Sequence, residues 1–160
     1  MPITKRTIIL KAHPYQQEEE IVAAAAITPG HILERATATS TEGKGNVQVH
    51  STADGCAAGF LVAKEDSLRG RGIDDDYAAD DPVACWIPKK GDQGYCLLKD
   101  GENIAIGDKL VSNGDGTLKE REGASDGEVP QSIIAIALET RDLSSSSGAD
   151  SGYRCVVEFV

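Results

Sequence analysis

The sequence predicts an all-β protein, and three observations predict it. Short apolar runs separated by Gly, Asp, Asn and Pro recur from end to end, the punctuation of strands and tight turns. Near the C-terminus Tyr153, Cys155, Val157 and Phe159 alternate onto one face, the period of a half-buried strand. One stretch also echoes another. Residues 27–33 (ITPGHIL) read against 104–110 (IAIGDKL) at an offset of 77, and 59–63 through Asp66 read against 135–139 through Asp142 at an offset of 76.

Taken in order, strands are expected at 7–11, 32–37, 46–50, 59–63, 83–87, 95–98, 109–112, 117–119, 133–138 and 153–159. Asn113-Gly114-Asp115-Gly116 and Lys90-Gly91-Asp92 are turn signals. Residues 15–26 (YQQEEEIVAAAA) have high helix propensity. Within them, 21–27 fit a buried strand edge as well, and strand is preferred. Each half runs turn, strand, hairpin strand, turn, small-residue strand. Two such units of about 40 residues cannot each bury a face alone, so they should pack on one another.

The expected architecture is therefore a small β-barrel or β-tulip built from two similar β-units. An extended N-terminal arm covers 1–20 and the body covers 21–160, with a loop and hairpin insertion at 64–101. Gly30 and Gly107 should occupy equivalent tight turns, where glycine accepts positive φ. Leu61, Val62, Ile134 and Ile136 should be strongly buried in a shared core. The acidic stretch 64–82 reads as an exposed excursion, and 144–152 (SSSSGADSG) as a flexible loop. If a hairpin turns about Lys90-Gly91, Cys85 faces Cys96 and Trp86 faces Tyr95.

Composition narrows the function. The 26 acids against 16 bases give a net charge of −10, and the chain has only one Trp, four Tyr and two Phe. Such a chain repels nucleic acid and offers few stacking surfaces, so no nucleic-acid partner is expected. No apolar run approaches the ~18 residues of a membrane span. The apolar centre 8–10 is too short for a secretion signal, so use without Sec export is expected. The four cysteines include no Cys-x-x-Cys, so reduced, buried thiols are expected.

Chemistry-bearing motifs are scarce. His13, His31 and His50 lie in three different segments without metal spacing. Asp74, Asp75, Asp76, Asp80 and Asp81 lack the spacing of a calcium loop. No Gly-x-Ser-x-Gly elbow, phosphate-cradling loop or His-Glu-x-x-His pair occurs. No catalytic residue, cofactor or metal is therefore assigned, and a non-enzymatic role is expected.

The segment 27–33, the strand 57–63 after Asp54-Gly55 and the strand 134–139 resemble tailed-phage head-decoration (cement) proteins of the lambda-type β-tulip family. The stretches 72–83, 107–110 and 114–118 are similar to a pattern common in phage structural proteins of this size. The likeness covers about 21–160 and departs from the family in the large 64–101 insertion. It implies a homotrimer on the capsid exterior at threefold and quasi-threefold positions, with the major capsid protein as partner. It places the protein in the virion and, during assembly, in the host cytoplasm. A head-fibre base or tail component is the alternative, and a small β-domain hydrolase or carbohydrate-binding module is third. The basic, acid-free start of the chain is the expected capsid contact, through Ile3, Lys5, Arg6, Ile8, Ile9, Leu10 and Lys11. Alone it has little apolar surface, so it is expected to be mobile until it adds a strand to a neighbouring sheet edge.

Overall fold

The structure, a computed structural model, describes residues 5–14, 17–39, 45–55, 60–123, 132–145 and 153–160. Among the described residues there are thirteen short strands and one 3-10 turn, so the all-β expectation holds. In chain order the strands are β1 (Ile9–Lys11), β2 (Gln17–Ala23), β3 (Ile32–Thr39), β4 (Gly45–Val49), β5 (Leu61–Ala63), β6 (Pro82–Ile87) and β7 (Gln93–Leu97). Then follow β8 (Asn103–Ile104), β9 (Lys109–Ser112), β10 (Leu118–Glu120), β11 (Ala135–Ala137), β12 (Arg141–Asp142) and β13 (Arg154–Phe159). The helix-prone segment is strand: β2 pairs with β6 from Gln17↔Ile87 to Val22↔Pro82. Tertiary pairing overrides its local propensity.

Strands β2-β4-β3-β5-β6 close a barrel, and β1-β7-β13-β11-β9-β10 make a six-stranded sheet beside it, with β8 and β12 as a separate pair. The two halves thus do not share one barrel. The first half closes a barrel with β2 and β6, and the second half joins β1 and β7 in a sheet. Alternation shows how the halves are joined. Leu33, Leu61, Ala63 and Cys85 belong to one core, with Ile21 and Val47. Their strand neighbours Ile32, Val62 and Trp86 belong to the other, with Cys96, Leu110 and Phe159. Strands β5 and β6, and β3 at Ile32 and Leu33, are therefore buried on both faces, which is why 61–63 and 82–87 read as unbroken apolar runs. Leu61, Val62 and Ile134 are fully buried as expected, whereas Ile136 is only half-buried.

Residues 64–101 are not an inserted hairpin. β6 pairs with β2 and β5, while β7 pairs with β1 and β13. Cys85 and Cys96 consequently lie in different sheets, and the residue opposite Cys96 is Cys155. Nor is 64–82 wholly exposed, because Tyr77 enters the barrel core and Ile73 the other core. The Arg154 side chain, 2% exposed, fastens this loop. It donates to Pro29 O (3.2 and 3.0 Å), to Ile73 O and to Asp74 Oδ1 (2.8 Å).

The echo between 27–33 and 104–110 is a real structural repeat, and it has two further copies. At Thr28, Ala78, Lys89 and Ala105 the backbone N–H donates to a side chain three residues on: His31 Nδ1, Asp81 Oδ2, Asp92 Oδ2 and Asp108 Oδ2. The residue before each acceptor has positive φ: Gly30 98°, Asp80 68°, Gly91 87° and Gly107 94°. Each of these four donates its N–H to a neighbouring strand, at Ala63, Ala23, Phe159 and Ala137, and that strand residue donates back to the next carbonyl. One side-chain acceptor thus locks each turn, and two backbone bonds fix it to a strand. Ala63 and Ala137 are equivalent by these bonds, an offset of 74 and not 76. The two-residue slip preserves the face of every side chain, so patterning could not detect it.

Candidate interaction surface

Residues 5–14 lie along β7 and are fastened at several points. β1 pairs with β7 through Ile9↔Gly94 and Lys11↔Gln93, and Tyr95 N donates to Ile8 O (2.8 Å). Gly94 permits close packing here, because a Cβ would stand 3.0 Å from Phe159 Cε2 and 3.1 Å from Trp86 Cζ3. Those two rings meet edge-on at 5.5 Å between centroids, a favoured aromatic geometry.

Three carboxylates hold the segment. Lys5 Nζ donates to Glu139 Oε2 (3.0 Å) and stands 5.0 Å from the Tyr95 ring centroid. Thr7 Oγ1 and Ile8 N donate to Glu65 (2.5 and 3.0 Å). His13 donates its backbone N–H to Asp92 Oδ1 (2.9 Å), and its ring Nδ1 meets the same oxygen. Burial alone would raise the Glu139 pKa, but Lys5, the Val156 N–H and Arg141 outweigh it and hold the carboxyl below its usual range.

The expected contact residues therefore divide. Ile8 is fully buried in this chain's own core, with Ile9 packed against it. Ile8 therefore faces this chain's own core and not an outer surface, because the core formed by β7 and β13 supplies the apolar partner that the isolated segment lacks. Lys5 is half-buried in its ion pair and Leu10 is half-buried, while Arg6 and Lys11 are exposed. Ile3 lies outside the described residues. Among the described residues the large exposed apolar side chains are Leu68, Ile106, Tyr153 and Val160.

The structure gathers one constellation that sequence reading missed. His50 Nδ1 lies 2.7 Å from Ser112 Oγ, and His50 Nε2 lies 3.9 Å from Glu34 Oε2. The three residues come from three strands or their ends, so no sequence spacing announces them. Ser112 and His50 have zero exposure, and Ser112 Oγ also accepts the Gly114 N–H (3.1 Å). This geometry ties the end of β4 to β9. A substrate could reach the hydroxyl only if those strands parted.

The thiols Cys85, Cys96 and Cys155 are free and buried. Burial pushes the Cys85 pKa up to about 12 and that of Cys155 up to about 11, and raises Cys96 further still. All three are protonated at neutral pH and are poor nucleophiles. Leu98 N donates to Tyr153 O, which places Cys96 and Cys155, two steps along, at a hydrogen-bonded pair. There Cβ atoms stand farther apart than a disulfide prefers. Among the described residues no group of three His, Cys, Asp or Glu could hold a metal ion.

No family model matches the chain, and no curated protein matches it. Among solved structures, it is similar to the head fiber gp8.5 N base of bacteriophage phi29. The fold is similar to that of a phage head-fibre base. The TM-score is 0.56 at 12% identity, over 91% of this chain and 94% of that one. The likeness therefore runs from one end of the architecture to the other, while almost no side chains are shared.

Proposed function

We propose that this chain is a structural protein of a phage virion, seated on the outside of the head as the base of a surface attachment. The observation that carries this reading is the likeness of its whole fold to the head-fibre base. Its chemistry agrees: His31, Asp66, Asp81, Asp92, Asp108 and Ser112 all serve hydrogen bonds within the fold. Its work is then binding and not catalysis, with the major capsid protein as partner and a homotrimer as the assembled form.

The finer reading is a cement protein of the lambda-type β-tulip family at threefold and quasi-threefold positions. Its support is the exposed pair Arg6 and Lys11 on a segment already fixed to the body, a preformed basic edge that could meet coat acids. Deleting the gene from its phage separates the two readings. A base protein leaves heads that keep their DNA on heating, whereas loss of a cement protein lowers the temperature at which DNA escapes. Virions whose protein composition never includes this chain would overturn both.

A further inference from the structure

Strand β10 ends the six-stranded sheet; its first residue, Leu118, meets Leu98, and just past its last residue two cations oppose each other. The β9–β10 register runs to Glu120↔Leu110. It continues one step, where Arg121 N donates to Lys109 O (2.8 Å). Arg121 and Lys109 are therefore directly opposite on one face, a like-charge arrangement that works against the sheet. Glu120 falls on the other face by alternation, while Asp108, in the turn before β9, reaches the same depression as the two cations. Asp108 is further engaged by the Ala105 N–H (2.7 Å). Arg121 Nε is buried with no hydrogen-bond partner, and an unmade bond on a buried charged group is costly. On the same strand Lys119 is matched by Asp54 (3.0 Å), and in the sheet Arg154 is matched by Asp74 (2.8 Å).

The two cations line a shallow depression of about 380 Å³ with Gly107, Asp108, Glu122 and Gly123. Among the described residues, a Cβ built on either glycine would meet nothing within 4 Å, so neither glycine crowds a ligand. We propose that this depression binds an oxyanion, gripped by the guanidinium of Arg121 and the ammonium of Lys109. A carboxylate or a phosphate has the required chemistry, because each presents several acceptor oxygens to donors in a fork. The source is either a free phosphate or a carboxylate carried by another protein chain. The site goes beyond the virion role proposed above and stands whether or not that role does.

The test follows the backbone amide resonances of Gly107 and Gly123, present in every variant, and the Arg121 Hε resonance where the arginine is kept, by NMR in two titrations at constant ionic strength. One uses inorganic phosphate, the other a capped peptide of glutamates. A saturable shift in either supports the site, and the tighter ligand identifies the source. Arg121→Gln and Lys109→Gln should each weaken binding at least tenfold, and Glu122→Gln, which removes a repelling charge from the wall, should tighten it. Without anion, Lys109→Gln should melt no lower than the unaltered chain, and the rise in Tm given by the ligand should vanish. Shifts no larger than sodium chloride produces, or binding by Lys109→Gln or Arg121→Gln as tight as that of the unaltered chain, would overturn the proposal. So would a Lys109→Gln chain that melts several degrees lower, because the lysine would then be serving the fold.

Discussion

Gly30 and Gly107 occupy the same place in two copies of one turn, with φ of 98° and 94°, yet their surroundings differ. Replacing either by alanine forces a Cβ into left-handed backbone, at a cost of roughly 1–2 kcal/mol. At Gly107 nothing lies within 4 Å of the new atom, so the loss should stop there. At Gly30 the Cβ would stand 3.1 Å from Tyr95 O, 3.2 Å from Arg154 Nε and 3.4 Å from Leu97 Cγ. Those neighbours cannot retreat easily, since Arg154 is already committed to Pro29, Ile73 and Asp74. Overpacking of this kind adds about 1–3 kcal/mol. Gly107→Ala should therefore lose about 1–2 kcal/mol and Gly30→Ala roughly 2–5 kcal/mol by urea unfolding, with m unchanged. For a chain of this size each kcal/mol moves Tm by about 2–4 °C. Equal losses, or a larger one at Gly107, would refute the claim that the first copy of the turn is wedged between the barrel and the sheet.

Leu61→Ala, in the barrel core, and Ile8→Ala, in the core beneath β1, should each cost about 2–5 kcal/mol in the same assay; a silent Ile8→Ala would mean the N-terminal segment is not packed in solution. His31 provides a pH test. Its burial depresses the ring pKa below the usual 6.5, so the unfolded chain takes up a proton first, and stability should fall as pH drops from about 6.5 through the lower folded value. His31→Asn, which keeps an acceptor for the Thr28 N–H, should flatten stability over that interval, and an unchanged slope would assign it to another group. In a Cys56→Ser chain, Cys85, Cys96 and Cys155 should resist a thiol reagent at pH 8 until urea unfolds the protein, and rapid labelling of the native chain would contradict their burial.

Much of the fold was legible because strand and turn chemistry are local. The expected strand at 109–112 is observed unchanged, those at 83–87 and 153–159 differ by one residue at one end, and that at 46–50 slides by one residue. Two copies of the recurring turn escaped notice for a local reason as well. The copy at Tyr77 places Asp80, not glycine, at the positive-φ position, and the copy at Pro88 reads as an ordinary Lys-Gly turn. What failed was pairing over long range. Nothing local indicates that β7 leaves β6 to lie between β1 and β13, and the assumed hairpin then misplaced Cys85 and Cys96 together. Burial of Arg154 was hidden too, because it occupies the strand face that alternation assigned to solvent, and two distant segments, the turn at Pro29 and the loop carrying Ile73 and Asp74, cover it. The Lys109–Arg121 pair needed the exact register of β9 and β10 before two ordinary surface cations could be seen to oppose each other.

The central claim, attachment to the outside of a phage head, is tested most directly by adding the purified protein to heads that lack it and sedimenting the mixture. The account predicts co-sedimentation that saturates at a fixed number of copies per head, with density on the outer surface by electron microscopy. Protein that stays in the supernatant at every concentration, while the heads are intact and the chain is folded, would contradict it.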